Sequence, residues 1–171
     1  METNLECPEE LNDEFKVLIN QSLLGWMVGD ARTAELNEAY VGSLILGICA
    51  LDVLGGFYCG VKRTSNETFK KFIKEYLPHS NEYLSRNVYT NMRNKLVHAY
   101  STKGFKYTSD HPEKHLIRDG DGRLWIHVHS FINEVEQATR SYIMDLPVKD
   151  ELWTNFKQKW SRDPLLRPIP E

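Results

Sequence analysis

Leu11, Phe15, Leu18, Ile19, Leu23 and Trp26 recur at three- and four-residue intervals, the period of one buried helix face. Pro8 with Glu9 and Glu10 gives this segment a suitable start, with acids in the first turn. The pattern predicts a helix from about Pro8 to Ala34, with Gly29 as a point of breakage. The run from Ala39 to Gly60 is apolar nearly all round, so it predicts a central buried helix or a membrane span. Asp52 decides against the span, since a mid-membrane Asp costs ~2.5–3.5 kcal/mol on insertion scales. Gly42, Gly47, Gly55 and Gly56 leave room on this helix for neighbouring backbone.

Asn66–Leu77 opens with a capping signature and stops before Pro78. Its inward face is Phe69, Phe72, Ile73, Tyr76 and Leu77. Leu84, Val88, Met92 and Leu96 then form the stripe of a helix from Asn81 to about Tyr100. Over residues 103–129 the period changes to alternation, and Asp119-Gly120-Asp121-Gly122 is a hairpin turn signal. A small antiparallel ribbon is expected there. Helical spacing returns from Ser130 to Leu146, with Phe131, Val135, Ala138, Tyr142 and Ile143 inward. Asp150–Arg162 forms a last helix whose Trp153, Phe156 and Trp160 seal the core, and the proline-rich tail 163–171 is expected to be extended. Together these elements predict a single all-α domain over residues 1–171. It is an up-and-down bundle of about five helices with a small β-hairpin insertion at about 103–129.

Hydrophobic residues at 41% and charged residues at 26% are ordinary globular values and exclude a mostly disordered chain. Cys7, Cys49 and Cys59 are far apart and form no CxxC pair, so they read as small buried hydrophobes in a reducing compartment. The acidic N-terminus lacks the apolar stretch of a signal peptide, which places the expected protein in the cytoplasm with no membrane partner. The net charge of −3 conceals an asymmetry. Residues 1–59 carry two basic and ten acidic side chains, whereas residues 60–106 carry ten basic and three acidic. Lys62, Arg63 and Lys95 belong to this basic third, and such a local field attracts phosphate even on an acidic protein. It equally suits internal complementation of the acidic segments.

The same third contains Arg93-Asn94-Lys95-Leu96-Val97-His98-Ala99-Tyr100. A His can take a proton from a ribose 2′-OH or deliver one to a leaving 5′-oxygen. Arg offers a bidentate fork for the phosphate and its developing charge, and Asn94 can orient the His or bind a phosphate oxygen. No metal is needed when the nucleophile is the internal 2′-OH. Tyr100 can stack on a base or bind phosphate. On an ideal α-helix Asn94 and His98 share a face, but Arg93 and His98 lie ~140° apart. They can flank a site from two sides, the helix can unwind after Val97, or two chains can meet. A plain alternative is that these cations only complement a helix C-terminus.

Arg93-x4-His98, with Asn94 directly after the Arg, resembles the Arg-x4-6-His motif of the HEPN superfamily. That resemblance implies a helical bundle, a homodimer whose two motifs meet in a cleft, and metal-independent endoribonuclease activity leaving 2′,3′-cyclic phosphate. Many such proteins serve toxin–antitoxin or phage-defence systems. It implies catalytic roles for Arg93 and His98 and a supporting one for Asn94. Asp52 is the candidate for the polar residue that family members often carry on an earlier helix. Arg93-x4-His98-x-Tyr100 also looks like the form found in HEPN toxins paired with a nucleotidyltransferase antitoxin, where Tyr100 would be the adenylylated position. The longer chain and the 103–129 segment depart from those toxins. The alternative implied function is a non-catalytic HEPN-like dimer module that binds RNA, a nucleotide or a protein.

No cofactor is expected. His127-Val128-His129 would place two imidazoles on one face of a strand, with His111 and His115 nearby, but no convincing carboxylate or Cys completes a metal site. No glycine-rich phosphate loop, GxSxG or HExxH is present.

Overall fold

The protein is described by a computed structural model, which covers residues 13–85, 87–94, 96 and 104–165. Within it the chain is mostly helical, with one small two-stranded sheet. α1 (Asp13–Asn20) runs without a break into a π-wound segment (Gln21–Val28) and then α2 (Gly29–Leu36). The expected break at Gly29 does not occur, because Gly29 has helical angles. The irregularity is instead an i→i+5 winding over the preceding eight residues. The predicted stripe is still buried at Ile19 and Leu23, joined by Val28 and Ala31.

α3 (Tyr40–Cys59) is the centre of the fold, contacted by α2, the first π segment and all the later long helices. By length and composition it is also the one described helix able to cross a bilayer, and more than half of its most apolar window is buried within the fold. Ser43 inside it donates to the Ala31 carbonyl at 2.8 Å, so its buried hydroxyl is satisfied. At Gly55 a Cβ would stand 3.0 Å from the Thr68 carbonyl, so only glycine lets α4 (Asn66–Tyr76) lie this close. α4 begins with a reciprocal capping box between Ser65 and Thr68, which stabilises its first turn by about 1 kcal/mol. Phe69, Phe72, Ile73 and Leu77 are buried as the period requires.

The predicted helix from Asn81 to Tyr100 is not continuous. α5 (Ser80–Ser85) stops, Asn87 takes a left-handed φ of 52°, and a π-wound segment (Tyr89–Asn94) follows. The apolar stripe survives the interruption, since Val88, Met92 and Leu96 are all in the core. Burial of these three holds the chain where backbone regularity is lost.

β1 (Phe105–Thr108) pairs with β2 (Leu124–His127) in parallel, not in the antiparallel sense expected. The Asp119–Gly122 turn does reverse the chain, but it pairs Arg118 with Leu124 through one antiparallel bridge. A second reversal through a short 3₁₀ turn (Pro112–Lys114) makes β1 and β2 run the same way. Residues 109–123 thus serve as the long crossover that parallel neighbours require.

β2 leads directly into α6 (Val128–Asp145), which buries Phe131, Val135, Ala138 and Tyr142 against α3. α7 (Asp150–Arg162) closes the core with Phe156 and Trp160, and Phe156 stacks on Phe57 at 4.7 Å. Cys49 and Cys59 are free thiols, half-buried rather than fully buried, and Cys7 lies outside the described residues.

Candidate functional site

α3 ends at Gly60, whose φ of 66° is left-handed and suits glycine. Gly60 N–H bonds to the Phe57 carbonyl and Val61 N–H to the Gly56 carbonyl, the paired bonds of a Schellman turn. The turn throws Lys62, Arg63 and Thr64 back across the end of α3. α7 holds it there. Asn155 donates to the Tyr58 carbonyl at 2.9 Å, and Lys159 Nζ donates to the Lys62 carbonyl at 3.0 Å. Lys159 also pairs with Asp163 one helical turn on.

The second wall comes from the Tyr89–Asn94 segment. With Met92 and Leu96 buried, Arg93 projects toward α3 and meets Asp52. Both its Nη2 (3.2 Å) and its Nε (3.4 Å) address one carboxylate oxygen, Oδ2. The other oxygen, Oδ1, is buried and accepts no hydrogen bond among the described residues. A buried acceptor left in this state costs about 1–3 kcal/mol unless something else supplies a donor. Cys49, one turn before Asp52, has its thiol pushed up, first by burial and then by the Asp52 charge, against a smaller lowering by Arg93. It therefore stays a thiol at neutral pH and does not compete as a nucleophile.

Asp52, Arg93, Lys62 and Arg63 line one open cavity of about 380 Å³, together with Lys159 and Asp163. Four cations face two carboxylates, so the cavity favours an anion. Side chains from α3, the turn after it, the interrupted helix and α7 are thus assembled around one space. The side chain of Asn94 lies outside what is described, and so do Lys95, His98 and Tyr100. Arg93 lies in the last turn of the π-wound segment Tyr89–Asn94.

Lys159 and Asp163 carried no sequence signal. Spaced four apart at a helix end, they read as a solvated surface pair, yet Lys159 is only 5% exposed. A buried polar cluster around Glu134 was equally hidden. Its Oε1 meets His79 Nδ1 at 2.9 Å and His115 Nε2 at 3.3 Å, and its Oε2 accepts from the Tyr83 hydroxyl at 2.6 Å. His115 Nδ1 accepts from the His127 N–H, so its Nε2 carries the proton that points at Glu134. Burial raises the Glu134 carboxyl, but the bonds from His115, Tyr83 and His79 outweigh it and leave a net lowering. Burial, reinforced by Glu134, pushes the Tyr83 hydroxyl well up.

The His127–His129 pair does not share a strand face. His127 ends β2 and caps α6 by accepting from Ser130 N–H, while His129 lies in the first turn of α6 on Glu35 at 2.6 Å. Among the described residues no group of three or more His, Cys, Asp or Glu side chains is arranged to hold a metal ion. Searches against protein-family models, curated proteins and solved structures return no match to this chain.

Proposed function

We propose that this protein is a HEPN-like, metal-independent endoribonuclease that works as a cytoplasmic homodimer in a toxin–antitoxin or phage-defence setting. The observation that carries the reading is the shared cavity. Arg93 of the RNKLVH stretch and the basic residues Lys62 and Arg63 face one anion-favouring space, with Asp52 holding the Arg93 guanidinium. The helices would form the up-and-down bundle of that family, with two Arg93–His98 motifs meeting in the dimer cleft.

In this reading His98 removes the proton from the 2′-OH. The 2′-oxygen then forms its bond to phosphorus, and the bond from phosphorus to the 5′-oxygen breaks. An imidazolium delivers the proton that the departing 5′-oxygen takes up. Arg93 lies against the phosphoryl oxygens, where negative charge grows, and Lys62 and Arg63 hold the flanking backbone. Asn94 and Lys95 support the motif, and Tyr100 would be the residue a partner nucleotidyltransferase modifies. The products are a 2′,3′-cyclic phosphate and a 5′-hydroxyl.

The test is cleavage of single-stranded RNA in EDTA, with product ends analysed. Arg93→Ala and His98→Ala are each expected to lose about 100- to 10,000-fold in rate while remaining folded. Undiminished cleavage by either variant would refute the assignment. One observation favours a second reading, a non-catalytic RNA- or nucleotide-binding dimer. Both the Arg93 nitrogens described are engaged by Asp52, as in a structural ion pair. Tight RNA binding with no product from a folded wild type would support it.

A further inference from the structure

Beside the cationic cavity lies a second, more apolar chamber of about 320 Å³. Trp26 and Met27 from the first π-wound segment form one side, and Phe57 and Val53 from α3 form the other. Ser22 and Asp30 add polar groups to this lining. The two spaces share a wall. Val53, Lys159 and Asp163 line both. Lys159 is fixed in that wall by Lys62 and Asp163, so the partition is built, not a loose surface lysine.

An anion-favouring cavity that opens beside an aromatic, apolar chamber with a few polar groups is the layout of a nucleotide site. Bases of single strands are held by stacking on aromatic rings while cations track the phosphates. The π winding matters here. Over Gln21–Val28 it leaves Trp26 half-exposed at the chamber, although its heptad neighbours Ile19 and Leu23 are buried in the core.

We propose that this chamber is a base-binding subsite, in which Trp26 takes the base of a nucleotide whose phosphate lies among Lys62, Arg63 and Arg93. The identity of that nucleotide as part of an RNA strand rests on the ribonuclease reading above. The subsite itself does not require cleavage.

The experiment uses the full chain and two fluorescent single-stranded oligomers with 2′-O-methyl backbones, which lack the attacking hydroxyl. One bears adenine at every position and the other is abasic. By anisotropy, wild type should bind the base-bearing strand about 10-fold more tightly than the abasic one. Trp26→Ala should abolish that difference and leave abasic binding unchanged, and Trp26→Phe should preserve it. Should Trp26→Ala fail to fold, Met27→Trp, which narrows the chamber at a residue that does not line the cationic cavity, is expected to give the same loss. Equal binding of the two strands by wild type would overturn the proposal and leave the chamber to a protein segment. A Trp26→Ala variant that weakens both strands alike, or neither, would overturn it as well. The outcome is separable from the cleavage assay. Base-dependent binding without cleavage would refute the nuclease and keep the subsite, and cleavage without base-dependent binding would do the reverse.

Discussion

Asp52 and Glu134 are both carboxylates on apolar helix faces, yet their surroundings differ in one respect. Glu134 has donors on both oxygens, from His79, His115 and Tyr83. Asp52 receives both of its hydrogen bonds from Arg93 on one oxygen, its other oxygen meets no donor among the described residues, and it borders a cavity lined by four cations. A closed network of this kind fixes structure, because every member is satisfied only in the folded arrangement. An open one leaves binding capacity unspent, which is what a site needs. Glu134 ties α6 to α5 and to the segment between the strands, whereas Asp52 aims an arginine.

Breaking the closed network should have the larger effect on stability. Glu134→Ala leaves the Tyr83 hydroxyl and His115 Nε2 with only each other, at 3.2 Å, and is expected to cost about 3 kcal/mol in urea unfolding. The sign of its pH dependence follows from the lowered folded-state carboxyl. Its contribution is complete above the ordinary glutamate range near ~4.3 and is lost as pH falls through the lower folded value. The wild-type advantage over Glu134→Gln should therefore shrink only at acid pH. An advantage that grows on acidification would contradict the network.

An intermediate effect is expected at the turn that forms the cavity. Gly60→Ala forces a Cβ into the left-handed region and to 3.0 Å from the Asn155 backbone. A loss of about 1–2 kcal/mol follows from the left-handed conformation. RNA affinity should fall with it, because Lys62 and Arg63 shift. Affinity unchanged in a folded variant would separate the turn from the site.

The smallest stability change belongs to the open carboxylate. Asp52→Asn removes one partly exposed ion pair, so about 1 kcal/mol or less is expected. The same variant should lower cleavage by about 10-fold, because Arg93 loses its orienting partner. A large stability loss with full activity would invert the contrast and make Asp52 the structural residue of the two.

How far the chain could be read in advance follows the same division between local and distant partners. α3, α4 and α7 were legible because a continuous apolar run, a capping signature and a helical period are properties of neighbouring residues. Lys62, Arg63, Arg93 and Asp52 could be nominated from residue type and charge distribution. Their meeting around one cavity could not, since it depends on the Gly60 turn and the interruption at Asn87. The Glu134 cluster gave no signal, because its partners are 55, 51 and 19 positions away and Glu134 by itself is an ordinary helix acid.

By itself, then, the sequence determined most of the helical elements, though not the interruption at Asn87, together with the apolar character of α3 and the basic third, because each rests on local period or composition. The tertiary structure decided the parallel pairing of β1 with β2, the two π-wound stretches and the burial of Lys159. Each of these is set by what lies across the core. A strand takes its partner from the path of its crossover, a helix accepts wider winding when its buried stripe is held, and a lysine is buried once carbonyl and carboxylate partners surround it.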